Sequence, residues 1–334
     1  MTSFERVKRF LKWAFSGKAR KDFRKDLENR KFEKFRLLML MVVRDEEDII
    51  RQNILFHKEM GVDGFIITSH NSVDRTNIIL EDLRKKGVVL DILYKTDPKH
   101  QHGVWVKEMI TLARDVYHAD WVIHADADEF FYSRQQNIKK SIFEFDKWNF
   151  NVLKVKAVSL FPDGRNDFLT CPYFVSNFLS PPLPQEKDIC TSVDELFGSS
   201  EQFRHYVSRI SEANFPKVMH KIKGYKRSLD GNHSVRMSRK KEMSCGDISL
   251  YHYNVKNYKG YEKRVLRWKD SIQYLEPNQG MHMRNQIMLY QNGELRKDYE
   301  DLYSPQKREY LIKYGMVIVD YSISAFLKKK NIIL

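Results

Sequence analysis

The sequence has few cysteines and no long apolar run. Its three cysteines, Cys171, Cys190 and Cys245, are widely spaced and form no CxxC pair. Such scattered thiols argue against a disulfide framework or a zinc cage and suit a reducing compartment. The longest purely apolar run, residues 37–43, is far shorter than the roughly 20 residues that cross a bilayer. Because Lys12 interrupts the apolar residues near the N-terminus, we predict no secretory signal and expect a cytoplasmic protein.

Positive charge is abundant but unevenly distributed. Of the formal net charge of +14, residues 1–36 supply +8, from 13 Lys/Arg against 5 Asp/Glu. Within them Phe4, Val7, Leu11 and Phe15 recur near helical spacing between basic residues, a pattern typical of a helix on an anionic membrane surface. A solvated basic arm, or a helix packed on the main domain, would fit the same pattern. Nucleic acid is a weaker alternative, because no RNA- or DNA-binding motif accompanies the charge.

From residue 37 the chain alternates between apolar runs of strand length and amphipathic helical patterns. The predicted strands are residues 37–43, 64–68, 88–94 and 121–124. The predicted helices are 45–60, one that Asp74 caps and that ends at Gly87, and 104–117. Strands joined by such helices predict an α/β fold with a mostly parallel sheet. Ligands of these folds bind at the carboxyl ends of the strands, where Arg44, Asp45 and Asn71 fall.

Beyond residue 130 the pattern weakens. Residues 152–160 indicate another strand, and residues 258–275 and 281–291 indicate helices. The proline-rich stretch 161–216 indicates long loops with short interrupted elements.

The strongest chemical signal is an acidic cluster directly after the fourth predicted strand. Asp126, Asp128 and Glu129 lie within four residues, between aromatic residues. Carboxylates this close at the end of a buried strand repel one another and lose hydration unless a cation neutralises them. A hard divalent ion, Mn²⁺ or Mg²⁺, does so while leaving positions for a substrate diphosphate. A helix N-cap followed by first-turn acids is the alternative interpretation of the cluster.

Several other classes need features that this sequence lacks. A dinucleotide-dependent oxidoreductase needs a glycine-rich turn after its first strand, where residues 43–47 read VRDEE. A nucleotidyltransferase usually needs a Gly-rich, Arg- and Lys-bearing loop there, and an aspartate-nucleophile phosphohydrolase would carry its acids after the first strand. A basic membrane or nucleic-acid adaptor without catalytic activity leaves the acidic cluster unexplained. The nucleotidyltransferase and the adaptor remain the alternatives.

Four motifs, in order, resemble family-2-like glycosyltransferases of the GT-A fold. They are VVRDEEDI with a following LFH (residues 42–57), GVDGFII (61–67), NSVDRT (71–76) and DADEF (126–130). The sequence departs from that pattern at Ser69 and His70, where an acidic residue often precedes the Asn, and at Arg75, where Gly is common. Downstream, residues 217–220, Asn232 with His233, and residues 250–253 resemble the Lys, His and "HY" elements of the same branch.

The resemblance extends to about residue 268, so we expect a chain of three parts with the catalytic domain in the middle. Residues 1–36 would be a basic amphipathic extension and residues 269–334 a C-terminal helical extension. Between them, 37–268 would be the GT-A domain, with a nucleotide-binding half (37–131) and an acceptor half (132–268).

The same resemblance implies a nucleotide-sugar donor, a UDP-sugar above all, and a divalent metal, Mn²⁺ or Mg²⁺. The implied donor-binding residues are Arg44, Asp45, Asn71, Asp74, Asp126 and Lys217, and the implied metal ligands are Asp126 and Asp128 with His252 or His233. A neutral imidazole is a suitable third ligand for Mn²⁺, although a lone His is more often structural.

Transfer to an acceptor hydroxyl also requires a general base, usually a carboxylate. Asp194 and Glu195 are the candidates, and Asp163, Asp167 and Glu201 are further carboxylates in the same poorly patterned stretch. Family-2-like chemistry implies in-line attack with inversion. With the basic arm, the resemblance suggests a glycan or lipid-linked acceptor in lipopolysaccharide- or capsule-type synthesis at the inner face of the cell membrane.

Overall fold

A computed structural model describes residues 28–29, 31–97, 101–176, 190–211, 215–229, 232–274, 276 and 280–333. Most of the predicted basic extension, residues 1–27 and residue 30, therefore lies outside the described part of the chain. Within the described ranges, every helix is too short or too polar to cross a bilayer.

Strands and helices alternate up to residue 160 and then become irregular. The strands are β1 (Leu37–Val43), β2 (Gly64–His70), β3 (Val89–Lys95), β4 (Trp121–Ala125), β5 (Glu129–Ser133), β6 (Val152–Leu160), β7 (Tyr173–Val175), β8 (Lys217–Lys221), β9 (Tyr225–Leu229), β10 (Ser234–Met237), β11 (Glu242–His252) and β12 (Val317–Val319). The helices are α1 (Ile50–Glu59), α2 (Thr76–Lys85), α3 (His102–Asp115), α4 (Ile138–Lys147), α5 (Cys190–Phe197), α6 (Ser200–Ser211), α7 (Tyr258–Ser271), α8 (Met281–Gln291), α9 (Leu295–Leu302), α10 (Pro305–Lys313) and α11 (Ser322–Lys329).

Ten of the described strands form one mixed sheet. Its order is β12-β7-β6-β8-β4-β1-β2-β3, with β11 paired to β6 and β5. The pairs β3–β2, β2–β1 and β1–β4 are parallel, as the sequence predicts. Beyond β4 the pairing to β8, and from β8 to β6, is antiparallel. The α/β class with flanking helices is thus confirmed, whereas a mostly parallel sheet is found only in the first half.

The alternation of side chains along β1 explains why this strand is apolar throughout. Leu37, Met39 and Met41 pack with α1, α2 and α4 on one face. Leu38 and Leu40 pack with α3 on the other. A strand covered on both faces has no polar side to expose, so it appears in sequence as a continuous apolar run.

The C-terminal elements share this core. Strand β12 pairs antiparallel with β7 at one end of the sheet, and Phe326 of α11 stacks edge-on against Phe56 of α1 with ring centroids 5.2 Å apart.

The start of the first helix differs from its prediction. Helix α1 begins at Ile50 rather than at residue 45, so the acids at 45–48 precede it. Asp45 has a left-handed backbone (φ 55°), and its Oδ1 accepts a hydrogen bond from Val73 N at 2.8 Å. These acids make tertiary contacts instead of complementing a helix dipole.

Two other predictions on helices need correction. The stretch 161–216 contains α5 and α6, whose apolar faces pack with residues of α9 and α10. Asp74 is not the N-cap of α2, a position that Arg75 occupies. Its Oδ1 accepts instead from Thr76 N at 2.9 Å, and its Oδ2 from Glu47 N at 3.2 Å.

Candidate active site

The acidic cluster forms a tight turn between β4 and β5 at the carboxyl ends of the parallel strands, which we call the cleft edge. Asp126 O accepts from Glu129 N at 3.2 Å, and Glu129 Oε2 accepts from Asp126 N at 3.0 Å. Strand β5 begins at Glu129, so the interpretation as a helix N-cap is wrong. The turn places the Asp126 side chain, 44% exposed, towards solvent and buries Glu129 completely.

Two buried side chains of α1 hold this turn in place. Asn53 Nδ2 donates to Ala127 O at 2.9 Å and to Glu129 O at 2.8 Å. His57 Nε2 accepts from Phe131 N at 2.9 Å, so its Nδ1 carries the proton and faces Asn53 O and Oδ1, each at 2.9 Å. Burial lowers the pKa of His57 to about 3, which keeps the ring neutral. Asn53 could not be identified from the sequence, because a polar residue on a helix does not indicate which buried groups it will contact.

Lys217, at the start of β8, neutralises part of the cluster. Its Nζ lies 3.0 Å from Glu129 Oε1 and 3.3 Å from Asp126 Oδ2. Burial alone would lower the pKa of Lys217, but the two carboxylates raise it above its usual value, so the side chain stays charged. β8 is antiparallel to β4, and its first residue therefore lies beside the last residues of β4.

Asp128 pairs with a histidine. His252 Nε2, at the end of β11, lies 3.4 Å from Asp128 Oδ1. Burial opposes ionisation of both groups, yet their mutual attraction raises the pKa of His252 to about 9 and lowers that of Asp128 well below its usual value. The other predicted imidazole, His233, is half-buried and its Nδ1 contacts Pro216 O at 3.0 Å. Burial and then Lys217 lower the pKa of His233, and the hydrogen bond to Pro216 and the charge of Asp126 oppose this shift.

A second charged group covers the loop after β1. Glu46 Oε2 lies 3.1 Å from Lys256 Nζ, and Glu46 Oε1 lies 3.1 Å from Arg267 Nη1. Lys256 also pairs with Asp48 at 2.7 Å. Burial would lower the pKa of Lys256, but Glu46, Asp48 and Asp128 raise it. In the sequence, this group of charges is indicated by the acidic run at residues 45–48, which we assigned to the start of the first predicted helix.

The remaining predicted nucleotide-binding residues lie on the β1 and β2 loops of the cleft edge. Arg44 Nε lies 3.9 Å from Asp45 Oδ2, while Asp45 Oδ1 binds the β2 loop. Asn71, left-handed at φ 51°, donates from Nδ2 to Asp97 O at 3.1 Å. Lys263 Nζ lies 3.6 Å from Asp74 Oδ2. These side chains join the two loops to each other and to α7, and their predicted role in binding a nucleoside stays a prediction.

A pair of stacked histidines lies behind the acidic turn. The rings of His102 and His124 are 5.0 Å apart with an interplanar angle of 21°. Burial lowers the pKa of His102, Asp126 opposes this shift and Lys217 adds to it. Nothing in the local sequence pattern indicates that these two rings meet.

The candidate general base lies on α5. Glu195 is exposed there, and the side chain of Asp194 lies outside the described part. The apolar face of α5 packs through Val193 and Phe197 in a cluster shared with α6 and α10. Both residues stay predictions as the base.

The donor set at the turn suits a divalent ion in chemistry, but it is not assembled as a cage. Among the described residues, no three His, Cys, Asp or Glu side chains are placed together to hold a metal. Adjacent ligand atoms of one ion at about 2.1 Å lie roughly 3 to 3.5 Å apart. Asp128 Oδ1 and His252 Nε2 meet that separation, whereas Asp126 is turned to Lys217. Among the described residues the fit is therefore to the pair Asp128 and His252 alone, and Asp126 as a further ligand stays a prediction.

Comparison with known proteins confirms the predicted class, a glycosyltransferase. The chain belongs to glycosyltransferase family 92, whose model matches residues 41–299. The motif resemblance had indicated the family-2-like branch. A search of the curated proteins finds no match.

Several solved structures resemble the chain. TarS of S. aureus, as a fragment, is 11% identical, with 81% of this chain and 73% of that chain covered and a TM-score of 0.38. The same fragment with UDP is 16% identical, covers 40% and 38% of the two chains, and has a TM-score of 0.30. Glucosyl-3-phosphoglycerate synthase from Mycobacterium tuberculosis, with Mn²⁺, UDP and phosphoglyceric acid, is 13% identical, covers 43% and 48%, and has a TM-score of 0.27. The chain spans less than half the length of the first two TarS chains it matches.

Proposed function

We propose that this protein transfers a sugar from a nucleotide-sugar donor, with UDP-sugars as the first candidates, to a hydroxyl of a glycan or glycolipid acceptor. The observation that carries the proposal is the acidic turn at the end of β4, with Lys217 and His252 beside its carboxylates. Strand ends of an α/β sheet are where such ligands bind. Family membership supplies the reaction class.

Binding of a divalent ion, Mn²⁺ or Mg²⁺, is the second part of the proposal. Asp128 and His252 would hold it, and Asp126 would complete the site, with His233 as the alternative imidazole. The ion would supply Lewis-acid stabilisation of the leaving diphosphate. His252 would have to be neutral to act as a ligand, so it would give up its proton when it held the ion.

Lys217 has a second role in this proposal. While Asp126 is turned to it, the ammonium is shared between Asp126 and Glu129. With Asp126 as a metal ligand, Lys217 would keep its pair with Glu129 and would offer its ammonium to the diphosphate as a compact cation. The β1 and β2 loops, with Arg44, Asp45, Asn71 and Asp74, would bind the nucleoside.

The chemical step follows family-2-like enzymes in the proposal. A carboxylate, for which Asp194 and Glu195 are the candidates, takes the proton of the acceptor hydroxyl. The hydroxyl oxygen attacks the anomeric carbon from the side opposite the diphosphate, so the configuration inverts. The cellular role we propose is lipopolysaccharide- or capsule-type glycan synthesis at the inner face of the membrane, with the basic extension 1–36 on anionic lipid.

The decisive experiment measures nucleoside diphosphate release from a panel of nucleotide sugars, with and without Mn²⁺. One donor should be turned over in a metal-dependent manner, and Asp128→Ala should abolish it. The matched control is Asp115→Ala, because Asp115 is an exposed carboxylate on α3 that pairs, among the described residues, with its neighbour Arg114. Loss of turnover in both variants, or none from any donor, would contradict the proposal.

The same assay separates the alternatives. A nucleotidyltransferase would release pyrophosphate from a nucleoside triphosphate and a sugar phosphate, and would leave nucleotide sugars intact in the absence of pyrophosphate. An adaptor without catalytic activity would release neither product, and metal with UDP-sugar would not raise its melting temperature.

A further inference from the structure

The edge of the sheet opposite the cleft gathers several elements into one surface, which we call the basal edge. It comprises the amino ends of β4, β6 and β11 and the carboxyl end of β8. The register places Trp121 opposite Lys221 and Val152 opposite Glu242. The nine residues of β6 separate this edge from the cleft by roughly 30 Å.

Exposed cations are concentrated on the basal edge. Asn151, at the start of β6, holds the β10–β11 turn there: its Oδ1 accepts from Lys241 N at 2.8 Å and its Nδ2 donates to Arg239 O at 2.6 Å. Asn151 O also accepts from Lys221 N at 2.9 Å. The exposed cations around this point are Lys147, Lys223, Arg239, Lys240 and Lys241.

The carboxylates of this edge mostly form hydrogen bonds and ion pairs with neighbouring side chains. Asp146 accepts from Trp121 Nε1 and from Lys221 Nζ, each at 2.7 Å, and Glu242 pairs with Lys240 at 2.5 Å. For Lys223, Arg239 and Lys241, the described part of the chain shows no carboxylate partner. The surface is therefore net positive after internal pairing.

A large apolar side chain stands among these cations. Trp148 ends α4 and is 77% exposed. The turn that holds it is closed by two backbone hydrogen bonds: Asn149 is left-handed (φ 61°), its N donates to Asp146 O at 2.9 Å, and Phe150 N donates to Phe145 O at 3.3 Å. This is the Schellman pattern that terminates a helix. The Trp148 side chain is therefore held at a defined, solvent-exposed position, although burial of its apolar surface would be favourable.

The basic N-terminal segment reaches the structure beside the same place. Phe32 and Phe35 each pack edge-on against Phe143 of α4, with ring centroids 5.3 Å apart. Glu28 lies 3.8 Å from Lys147, the residue before Trp148. The described N-terminal residues, from Glu28, thus lie next to the helix end that carries the exposed tryptophan.

We infer that the basal edge is a contact surface for an anionic lipid membrane. Clustered Lys and Arg attract anionic headgroups, and an indole is suited to the boundary between headgroups and acyl chains. Nucleic acid would use the cations but gives no reason for one exposed Trp beside an arm with apolar residues at helical spacing. With the basal edge on the bilayer, the cleft would face away from the membrane. The inference does not require the proposed reaction, because it concerns only binding.

The test is flotation of the full chain with vesicles of phosphatidylethanolamine and phosphatidylglycerol, with phosphatidylcholine vesicles as the neutral comparison. The variant Arg239→Glu/Lys240→Glu/Lys241→Glu should lower partitioning by about tenfold or more, since each cation near such a surface contributes measurably. The matched control is Lys259→Glu/Lys269→Glu/Lys297→Glu, which makes the same charge change at exposed positions on α7 and α9. It should stay within about twofold of the native chain.

Fluorescence gives a second readout that net charge does not affect. Because Trp13 and Trp268 would also contribute to the emission, the measurement uses a Trp13→Phe/Trp268→Phe background, in which the other two tryptophans, Trp105 and Trp121, are fully buried. Vesicles should shift the emission of this background to shorter wavelength, and adding Trp148→Phe should remove most of that shift. Equal losses in both triple variants, or an unchanged shift in Trp148→Phe, would overturn the inference. So would a basal-edge variant that loses binding to duplex RNA but not to vesicles. Nucleoside diphosphate release, measured separately, reports on the proposed reaction alone.

Discussion

The two edges of the sheet use charge in opposite ways. At the cleft edge, buried cations pair with buried carboxylates, as in Lys217 with Glu129 and Lys256 with Glu46. At the basal edge, the cations of the β10–β11 turn are exposed and Trp148 stands uncovered among them. A buried charge needs an oppositely charged partner at fixed geometry. An exposed charge is hydrated and can attract a binding partner that has no fixed geometry.

This contrast indicates where each edge tolerates change. Removing one member of a buried pair leaves an uncompensated charge, which should lower the free energy of unfolding. Removing an exposed cation should leave folding unchanged and alter only association.

The largest expected effect is at the buried pair. Lys217→Met should destabilise the fold by about 3–5 kcal/mol, because Glu129 is left charged and buried. Adding Glu129→Gln should recover much of the loss. Urea unfolding measures both. The control is Lys221→Met on the same strand, whose pair with Asp146 is partly exposed and should cost less than about 1 kcal/mol. A similar loss in both single variants would remove the contrast.

Next in size is the support of the acidic turn. Asn53→Ala removes two buried hydrogen bonds, to Ala127 O and Glu129 O, and should cost about 2–3 kcal/mol. Turnover should fall about 10- to 100-fold, as for other residues that orient a site indirectly. The neighbouring Gln52→Ala on the same helix is the control. If Asn53→Ala lowered stability but left turnover at the native level, the positioning role would be wrong.

A smaller effect concerns pH. His57 has a folded pKa of about 3 against about 6.5 when unfolded, so the unfolded state binds the extra proton between these values. Its contribution to stability is complete above pH 6.5 and is lost as pH falls towards 3. In His57→Gln, whose amide can still accept from Phe131 N, the slope of unfolding free energy with pH should be shallower by up to about 1.4 kcal/mol per unit. Parallel slopes for both proteins between pH 6.5 and 4 would refute this assignment.

The smallest expected effect completes the comparison. The basal-edge variant Arg239→Glu/Lys240→Glu/Lys241→Glu should change the free energy of unfolding by no more than about 0.5 kcal/mol, because these side chains are exposed. Nucleoside diphosphate release in the absence of vesicles should equal that of the native chain. Thermal unfolding and the donor assay check the two points, and marked destabilisation would show that the basal cations serve the fold.

Local pattern was sufficient for the first half of the chain. Strands β1 to β4 alternate with helices whose inner faces recur at 3.6-residue spacing, and each apolar run is buried by neighbours close in sequence. The acidic turn could be found for the same reason, since it directly follows a recognisable strand. The acids at 45–48 were misassigned because a run of carboxylates before an apolar helix has the same local appearance whether or not distant cations bind it.

By itself, then, the sequence determined the α/β class, the order β1 to β4 and the acidic turn with its place at the strand ends. Only the tertiary structure decided which cations reach that turn: Lys217 is 91 residues from Asp126 in sequence, and Lys256 is 210 from Glu46. Tertiary structure alone also gathers Trp148, Lys221 and the β10–β11 turn at one edge. Periodicity reports how each segment buries its own face, but it carries no information on which distant segment covers it.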